Sequence, residues 1–147
     1  ITADKPLARE LGCQVGDQWV QISGLRTLGD EGMPICLANV YVIPEYGSIA
    51  QRLGGSSRPV YEMIAESFKE SIENITIRLT AGVLSEQKAA VLGVEPGSPS
   101  LSVSRFYQGR GGRIFEASIS EHPASNFSYN FEFTRGWQTA DHWSWNN

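Results

Sequence analysis

The sequence predicts an α+β domain with a largely antiparallel six-stranded sheet and helices packed on it. Polar and apolar residues alternate along several short runs, which is the period of a half-buried strand. Glycine-rich turns join neighbouring runs, as they do in β-hairpins. Apolar residues from Tyr61 to Ile72 recur at three- and four-residue steps, which indicates an amphipathic helix. Hairpins combined with helices are typical of the α+β class.

Two stretches of the chain resemble each other, and the rest is organised around them. The Leu-Gly pair at 92–93 repeats the pair at 11–12, and Gly97 repeats Gly16 at the same offset of 81 residues. Each pair is followed by a strand-like run, a glycine turn and a second run. The repeated unit is predicted to be a short helix, a turn and a β-hairpin.

In the first half of the chain, a helix and two hairpin strands precede the amphipathic helix. Gly12 is predicted to end the first helix as its C-cap. The run after Pro34 is almost wholly apolar until Pro44 stops it, so it is predicted to be a central strand covered on both faces. In chain order, the predicted elements are a helix at 6–11, strands at 19–26 and 35–43, a short helix at 46–53 and the amphipathic helix at 59–71.

In the second half, Ser85 is predicted to open a helix that Gly93 ends. Aromatic residues alternate with polar ones from Phe127 to Phe133, which predicts a sixth, half-buried strand. In chain order, the predicted elements are a strand at 75–80, a helix at 86–92, hairpin strands at 101–107 and 114–121, and the final strand at 127–133.

Composition and charge restrict the function. The 147 residues are predicted to form one ligand-binding domain, with a body at about 5–134 and a Trp-rich tail at 135–147 that folds back or meets a partner subunit. The net charge is −4 and the basic residues are scattered, which argues against direct binding of nucleic acid. No apolar run is long enough to span a bilayer, so no membrane contact is predicted.

The start of the chain and its cysteines suggest its context. Because the chain begins with Ile1 and not with Met, we expect it to be a fragment of a longer protein. Cys13 and Cys36 lack the spacing of a metal site and are interpreted as reduced thiols of a cytoplasmic protein. A disulfide between them remains an alternative.

The sequence contains no nucleophile elbow, phosphate loop, zinc pair or paired-carboxylate motif, so no catalytic residue, metal or cofactor is predicted. Instead, polar residues occur in or beside strand-like runs, where they can line a pocket for a small polar molecule. Guanidinium groups would bind carboxylate or phosphate, and a carboxylate would bind hydroxyl or amine. The candidate ligand-binding residues are Arg26, Tyr41, Tyr61, Arg105, Glu116, Ser118 and His122.

Each candidate also has a purely structural interpretation. Arg26 is more simply a solvated residue at the end of a strand. Glu116 fits the solvent-facing side of a hairpin equally well. Tyr61 heads an apolar stripe and is as well explained by core packing, and His122 beside Pro123 is typical of a turn.

In this order, the residues resemble the UTRA domain, the effector-binding half of GntR-type bacterial transcriptional regulators of the HutC subfamily. The resemblance covers nearly all of residues 5–134 and depends on an ordered set of short motifs. They are Leu11-Gly12, Gly16, Leu25-Arg26, Gly32 to Ile35, Tyr41 to Pro44, Pro59 to Glu62, the second Leu-Gly unit, Arg105 to Tyr107 and Phe115 to Ser118.

The resemblance implies a chorismate-lyase-like fold, a small-molecule effector, a homodimer, and DNA binding only through a winged helix-turn-helix domain outside this chain. It also implies that Arg26, Tyr61, Glu116 and His122 contact the effector. Relatives that bind phosphorylated sugars have a second arginine where this chain has Gly24. A carboxylate or aromatic effector is therefore favoured over a sugar phosphate. The alternatives are a small chorismate-lyase-like enzyme and a ligand-free dimerisation module.

Overall fold

The computed structural model describes residues 1–29, 32–54 and 58–132. Five strands form one antiparallel sheet in the order β1-β2-β5-β4-β3, so the predicted α+β class is confirmed. No helix in the described part of the chain is long and apolar enough to cross a membrane. The elements are α1 Lys5–Leu11, β1 Val20–Leu28, β2 Met33–Val42, a 3-10 segment Pro44–Arg52, α2 Val60–Phe68, β3 Asn74–Val83, α3 Glu86–Leu92, β4 Pro99–Gln108 and β5 Ile114–Pro123, with short 3-10 turns at Arg110–Gly112 and Ala124–Asn126.

The predicted sixth strand at 127–133 is wrong over the residues that the structure describes, and its last position lies outside them. The rings of this segment pack edge-on or tilted against one another, and none of its described residues belongs to a strand. His122 and Phe127 stack with their centroids 3.7 Å apart, and Tyr129 and Phe131 lie 4.7 Å apart. We call Phe127, Tyr129 and Phe131 the aromatic strap. Alternating aromatic residues thus pack here without strand pairing.

The two predicted repeat units are present and meet at the centre of the sheet. Gly12 and Gly93 end α1 and α3 in the same left-handed conformation, each at φ 68°. The return strands β2 and β5 pair with each other, while β1 and β4 flank them. The two hairpins are therefore arranged around the β2–β5 pair, and the apolar runs of these strands are explained by their central position.

Helices cover the two sides of the sheet. Tyr61 of α2 stacks on Tyr107 of β4 with centroids 4.4 Å apart, and we call the side of the sheet that bears Tyr107 the front face. Leu37 of β2 packs on the opposite, back face against the cluster that contains Leu92 of α3. Because cross-strand partners share a face, the register assigns every strand residue to one side or the other.

Glu70 links the chain just after α2 to the 3-10 segment Pro44–Arg52. Its carboxylate accepts hydrogen bonds from the Tyr46 hydroxyl and, at 3.0 Å, from the backbone N–H of Ser71. The Tyr46 ring also packs on Phe68, with centroids 4.6 Å apart. Gly109 faces the same carboxylate so closely that a Cβ there would lie 2.5 Å from Glu70 Oε1. A side chain on the residue after β4 would therefore displace the Glu70 carboxylate.

Gly109→Ala is expected to lower the free energy of unfolding by about 1–3 kcal/mol, because the new methyl group overlaps the pinned carboxylate. Urea denaturation of the single variants and of the Gly109→Ala/Glu70→Ala double variant measures the effect. In the Glu70→Ala background most of the cost should disappear, since the overlapping group is gone. An equal cost in both backgrounds would contradict this explanation.

Candidate functional site

Strand register brings most of the predicted site residues to the front face. Ser118 pairs directly with Arg105, and Glu116 lies two residues from Ser118 on the same strand. Alternate residues of a strand point to the same side, so these three side chains are neighbours. His122 follows on the same side of β5, and Tyr61 approaches from α2 through its stack on the front face.

Tyr41 is separated from the other candidates. It pairs with Gln21 and Ala117, whose side chains point to the back face. There it lines a groove of about 700 Å³ that also contains Glu10 of α1 and Lys88 of α3. Tyr41 is buried, and burial, followed by the charge of Glu10, raises its pKa. The structure therefore does not bring Tyr41 together with Glu116.

Arg26 lies at the far end of the front face from Glu116. Glu116 pairs with Val42 of β2, and Val42 pairs with Val20 of β1. Arg26 is six residues further along β1 than Val20. At about 3.4 Å per residue, this offset is about 20 Å along the strand direction. Arg26 is also exposed. By backbone position, Arg105 is the predicted arginine closest to Glu116.

Glu116 is the most unusual side chain of this face. It is only 2% exposed, and its Oε2 atom has no hydrogen-bond partner among the described residues. Burial raises the pKa of its carboxyl group to about 8. A buried carboxyl oxygen without a hydrogen-bond partner costs free energy and is uncommon in a packed strand.

Aromatic rings surround this carboxyl group. Tyr107 pairs with Glu116 across β4 and β5, and its ring lies parallel to that of Tyr61, at an interplanar angle of 15°. Burial and the neighbouring Glu116 raise the pKa of Tyr107, which stays a neutral phenol. The guanidinium Cζ of Arg105 lies 5.8 Å from the ring centroid of Tyr129 in the aromatic strap. Tyr107 and Tyr129 were not predicted as site residues.

His122 forms the other end of the site. Its ring stacks on Phe127 at an interplanar angle of 15°. Burial and then the positive charges of Arg105 and Arg26 lower its pKa to about 4, while a hydrogen bond to the backbone of Ile35 acts in the opposite direction. His122 is therefore neutral at physiological pH.

Cys36 also belongs to this end, although the sequence analysis interpreted it only as a reduced thiol. It pairs with Arg26 and is buried. Burial raises the pKa of its thiol, and Arg26 and Arg105 partly offset that effect. Cys36 and Cys13 are both free thiols. The hairpin register around Gly32 would have placed Cys36 opposite Arg26 and so could have identified it.

Small side chains floor the space between these two ends. Gly24, Ala38 and Ser120 form one cross-strand row on the front face. A Cβ built on Gly24 would meet nothing within 4 Å, so the sheet is open at that point. Tyr61 of α2 lies over one end of this face, and Phe127 of the aromatic strap lies over the other. Gly24 and Ala38 also line the groove that contains Tyr41.

The site offers binding groups and no metal ligands. In the described ranges, no group of three or more His, Cys, Asp or Glu side chains is placed to hold a metal ion. The chemistry present is a guanidinium, a neutral carboxyl, several aromatic rings and a serine hydroxyl. Such a set suits a small polar or aromatic molecule.

Comparison with known proteins identifies relatives. Residues 1–128 match the UTRA domain family. The ligand-binding domain of a protein classed as a GntR-family regulator from Bordetella bronchiseptica is 25% identical, with a TM-score of 0.73 over 90% of this chain and 85% of that one. A GntR-family regulator from Bacillus cereus is 20% identical, with a TM-score of 0.76 over 91% and 92% of the two chains. PhnF from Mycobacterium smegmatis is 18% identical, with a TM-score of 0.74 over 92% of this chain and 59% of that one. No curated sequence matches significantly.

Proposed function

This chain belongs to the UTRA domain family, and from that premise we propose that it senses a small-molecule effector on its front face for a GntR-type transcriptional regulator of the HutC subfamily. DNA would be bound by an attached winged helix-turn-helix domain and not by this domain, whose net charge is −4. The regulator would act in the cytoplasm as a homodimer.

The observation that supports this proposal best is the environment of Glu116. A carboxyl group that is 2% exposed and has an oxygen without a partner among the described residues is costly unless something else compensates. On the same face, Ser118 lies two residues away on β5 and pairs with Arg105. A ligand that supplies the missing partner would explain this cost.

The same residues favour a carboxylate or an aromatic acid over a sugar phosphate. Arg105 supplies one guanidinium near Glu116, and Gly24 stands where a second arginine would help to hold a dianion. Tyr61 stacks on Tyr107, and Tyr129 lies near the guanidinium group of Arg105. A planar acid can use both sets of groups, because its carboxylate meets the guanidinium while its ring packs on tyrosine.

Effector binding would be transmitted through the elements that wall the site. A ligand that contacts both α2 and the aromatic strap favours conformations in which they are correctly placed. The regulator responds only to the extent that the ligand binds one arrangement more tightly than another. The DNA-binding domains would then be biased towards one relative placement.

Arg105→Ala is expected to weaken the binding of a carboxylate effector about tenfold to a hundredfold, since a hydrogen bond to a charged group contributes about 1.5–3 kcal/mol. Thermal-shift screening of carboxylates, aromatic acids and sugar phosphates, followed by calorimetry, gives the affinities. Arg78→Ala is the matched control, because Arg78 lies on the back face with its guanidinium 5.1 Å from the Phe106 ring centroid. An effector whose affinity survives both Arg105→Ala and Glu116→Ala would contradict the assigned site.

One observation supports a second candidate, a lyase that acts on a chorismate-like acid. A general acid needs a carboxyl that is protonated near neutral pH, and burial gives Glu116 a pKa of about 8. Arg105 would then hold the carboxylate of the substrate. Incubation with chorismate and chromatography of the products tests this candidate. Turnover that is abolished by Glu116→Gln would favour it over the sensor.

A further inference from the structure

The front face has an unusual charge balance around Glu116. Among the described strand residues that point to this face, the cations are Arg26 and Arg105, and Glu116 is the acid. The Glu116 carboxyl is 2% exposed, its Oε2 atom has no hydrogen-bond partner among the described residues, and burial raises its pKa to about 8. Arg26 lies about 20 Å further along the strand direction, so by strand register Arg105 is the nearer of the two cations to Glu116, and its positive charge suits an anion.

We propose that Glu116 keeps its proton and donates its hydroxyl hydrogen to an oxygen of an anionic effector, instead of accepting a hydrogen bond from a hydroxyl or an amine. This inference rests on the proposed sensing function and specifies its ligand chemistry. The effector would be a carboxylate with one oxygen bound by the Glu116 hydroxyl and with its charge balanced by Arg105. The carbonyl oxygen of the protonated carboxyl can still accept a hydrogen bond from an ammonium group, so selection against amines would come from the positive charge of Arg105.

The surroundings of Glu116 agree with the donor role. Tyr107 faces it from β4 and has a raised pKa, so it stays neutral. Tyr61 lies on Tyr107 from α2, and Tyr129 of the strap lies near Arg105. Across β2 the neighbour is the apolar Val42. Tyr107 therefore adds no negative charge at neutral pH, and Arg105 adds a positive one. An incoming ammonium would be repelled, whereas a carboxylate would be attracted.

The consequence is that effector binding depends on the proton of Glu116. Binding of an anion is strongest while the carboxyl is protonated and weakens as the pH rises through about 8, because the ionised group repels the ligand. At pH 9, about one molecule in ten would still be protonated. The dissociation constant of a carboxylate is therefore expected to rise about tenfold from pH 6.5 to pH 9.

The binding test uses three probes of similar shape, namely benzoate, benzyl alcohol and benzylamine, with calorimetry at pH 6.5 and pH 9. In the wild-type chain benzoate should bind most tightly and lose about tenfold at pH 9. Glu116→Gln keeps a donor but cannot ionise, so its benzoate affinity should not vary with pH and should exceed that of the wild type at pH 9. Glu86→Gln, at an exposed position on α3, controls for the change in charge. Tighter binding of benzylamine, lost in Glu116→Gln, would overturn the donor role.

A second measurement needs no ligand. Difference infrared spectra should show the carbonyl band of a protonated carboxyl at pH 6.5, and this band should be absent at pH 9.5 and in Glu116→Gln. Absence of the band at pH 6.5 would overturn the proposal whatever the probes do. Binding of a carboxylate while Glu116 is ionised would contradict the donor role but not the sensing function. A protonated Glu116 in a chain that binds no metabolite would instead contradict the sensing function.

Discussion

Glu116→Gln is expected to raise the free energy of unfolding at pH 8 by about 3–5 kcal/mol relative to the wild type. The folded-state pKa of this carboxyl is about 8, against an ordinary value of 4.5. Between pH 4.5 and pH 8 the folded chain holds a proton that the unfolded chain releases. The free energy of unfolding is therefore highest below pH 4.5 and falls as the pH rises towards 8. At about 1.4 kcal/mol per pH unit, the difference between the two pKa values corresponds to about 5 kcal/mol of free energy of unfolding.

The most informative measurement is how this difference in the free energy of unfolding changes with pH. Urea unfolding of both chains at pH 5, 6, 7 and 8 should show the advantage of Glu116→Gln growing by about 1.4 kcal/mol per pH unit. Glu86→Gln removes the same charge from an exposed position and should give a flat difference. If the free energy of unfolding changed with pH in the same way for Glu116→Gln and the wild type, Glu116 would ionise normally in the folded state.

At acidic pH, His122→Phe is expected to have a free energy of unfolding up to about 3 kcal/mol higher than that of the wild type. Burial and the two arginines lower the folded-state pKa of His122 from 6.5 to about 4. Between these values the unfolded chain binds a proton that the folded chain does not. The stability that His122 contributes is therefore present above 6.5 and is lost as the pH falls towards 4. Phenylalanine keeps the stack on Phe127 and cannot titrate.

Unfolding curves at pH 7, 6, 5 and 4 measure this effect, and the wild type should lose stability faster than His122→Phe as the pH falls. NMR titration of the imidazole C–H signal that disappears in His122→Phe should give a midpoint well below 6.5. A midpoint near 6.5 would mean that the ring is solvated and that its stack on Phe127 is weak.

The sequence predicted which helices and strands are present more accurately than it predicted the residues at which they begin and end. The repeated Leu-Gly units correctly placed both short helices, because a left-handed C-cap such as Gly12 needs glycine locally. The strands extend beyond their predicted limits, since pairing with neighbours continues after the alternating pattern stops. The strand predicted at 127–133 is wrong over its described residues, because the same aromatic alternation is satisfied by ring stacking on His122.

The candidate site was partly predictable. Glu116, Ser118 and Arg105 were chosen as polar residues in strand-like runs, and the register makes them neighbours. Tyr41 was chosen by the same rule, yet it points to the back face, because one strand position separates the two sides of a sheet. Tyr107 was missed, because a tyrosine in an apolar run gives no sign that it will cover a carboxyl.

The sequence by itself determined the hairpin repeat, the α+β class and the net charge of −4, because these follow from local pattern and from composition. It left Glu116 equally compatible with a solvated hairpin side and a buried site. Only the tertiary structure decided this question. The pairing of β5 between β2 and β4, with Tyr107 alongside and α2 above, removes the carboxyl from water. Its raised pKa arises from that burial and from no neighbour in sequence.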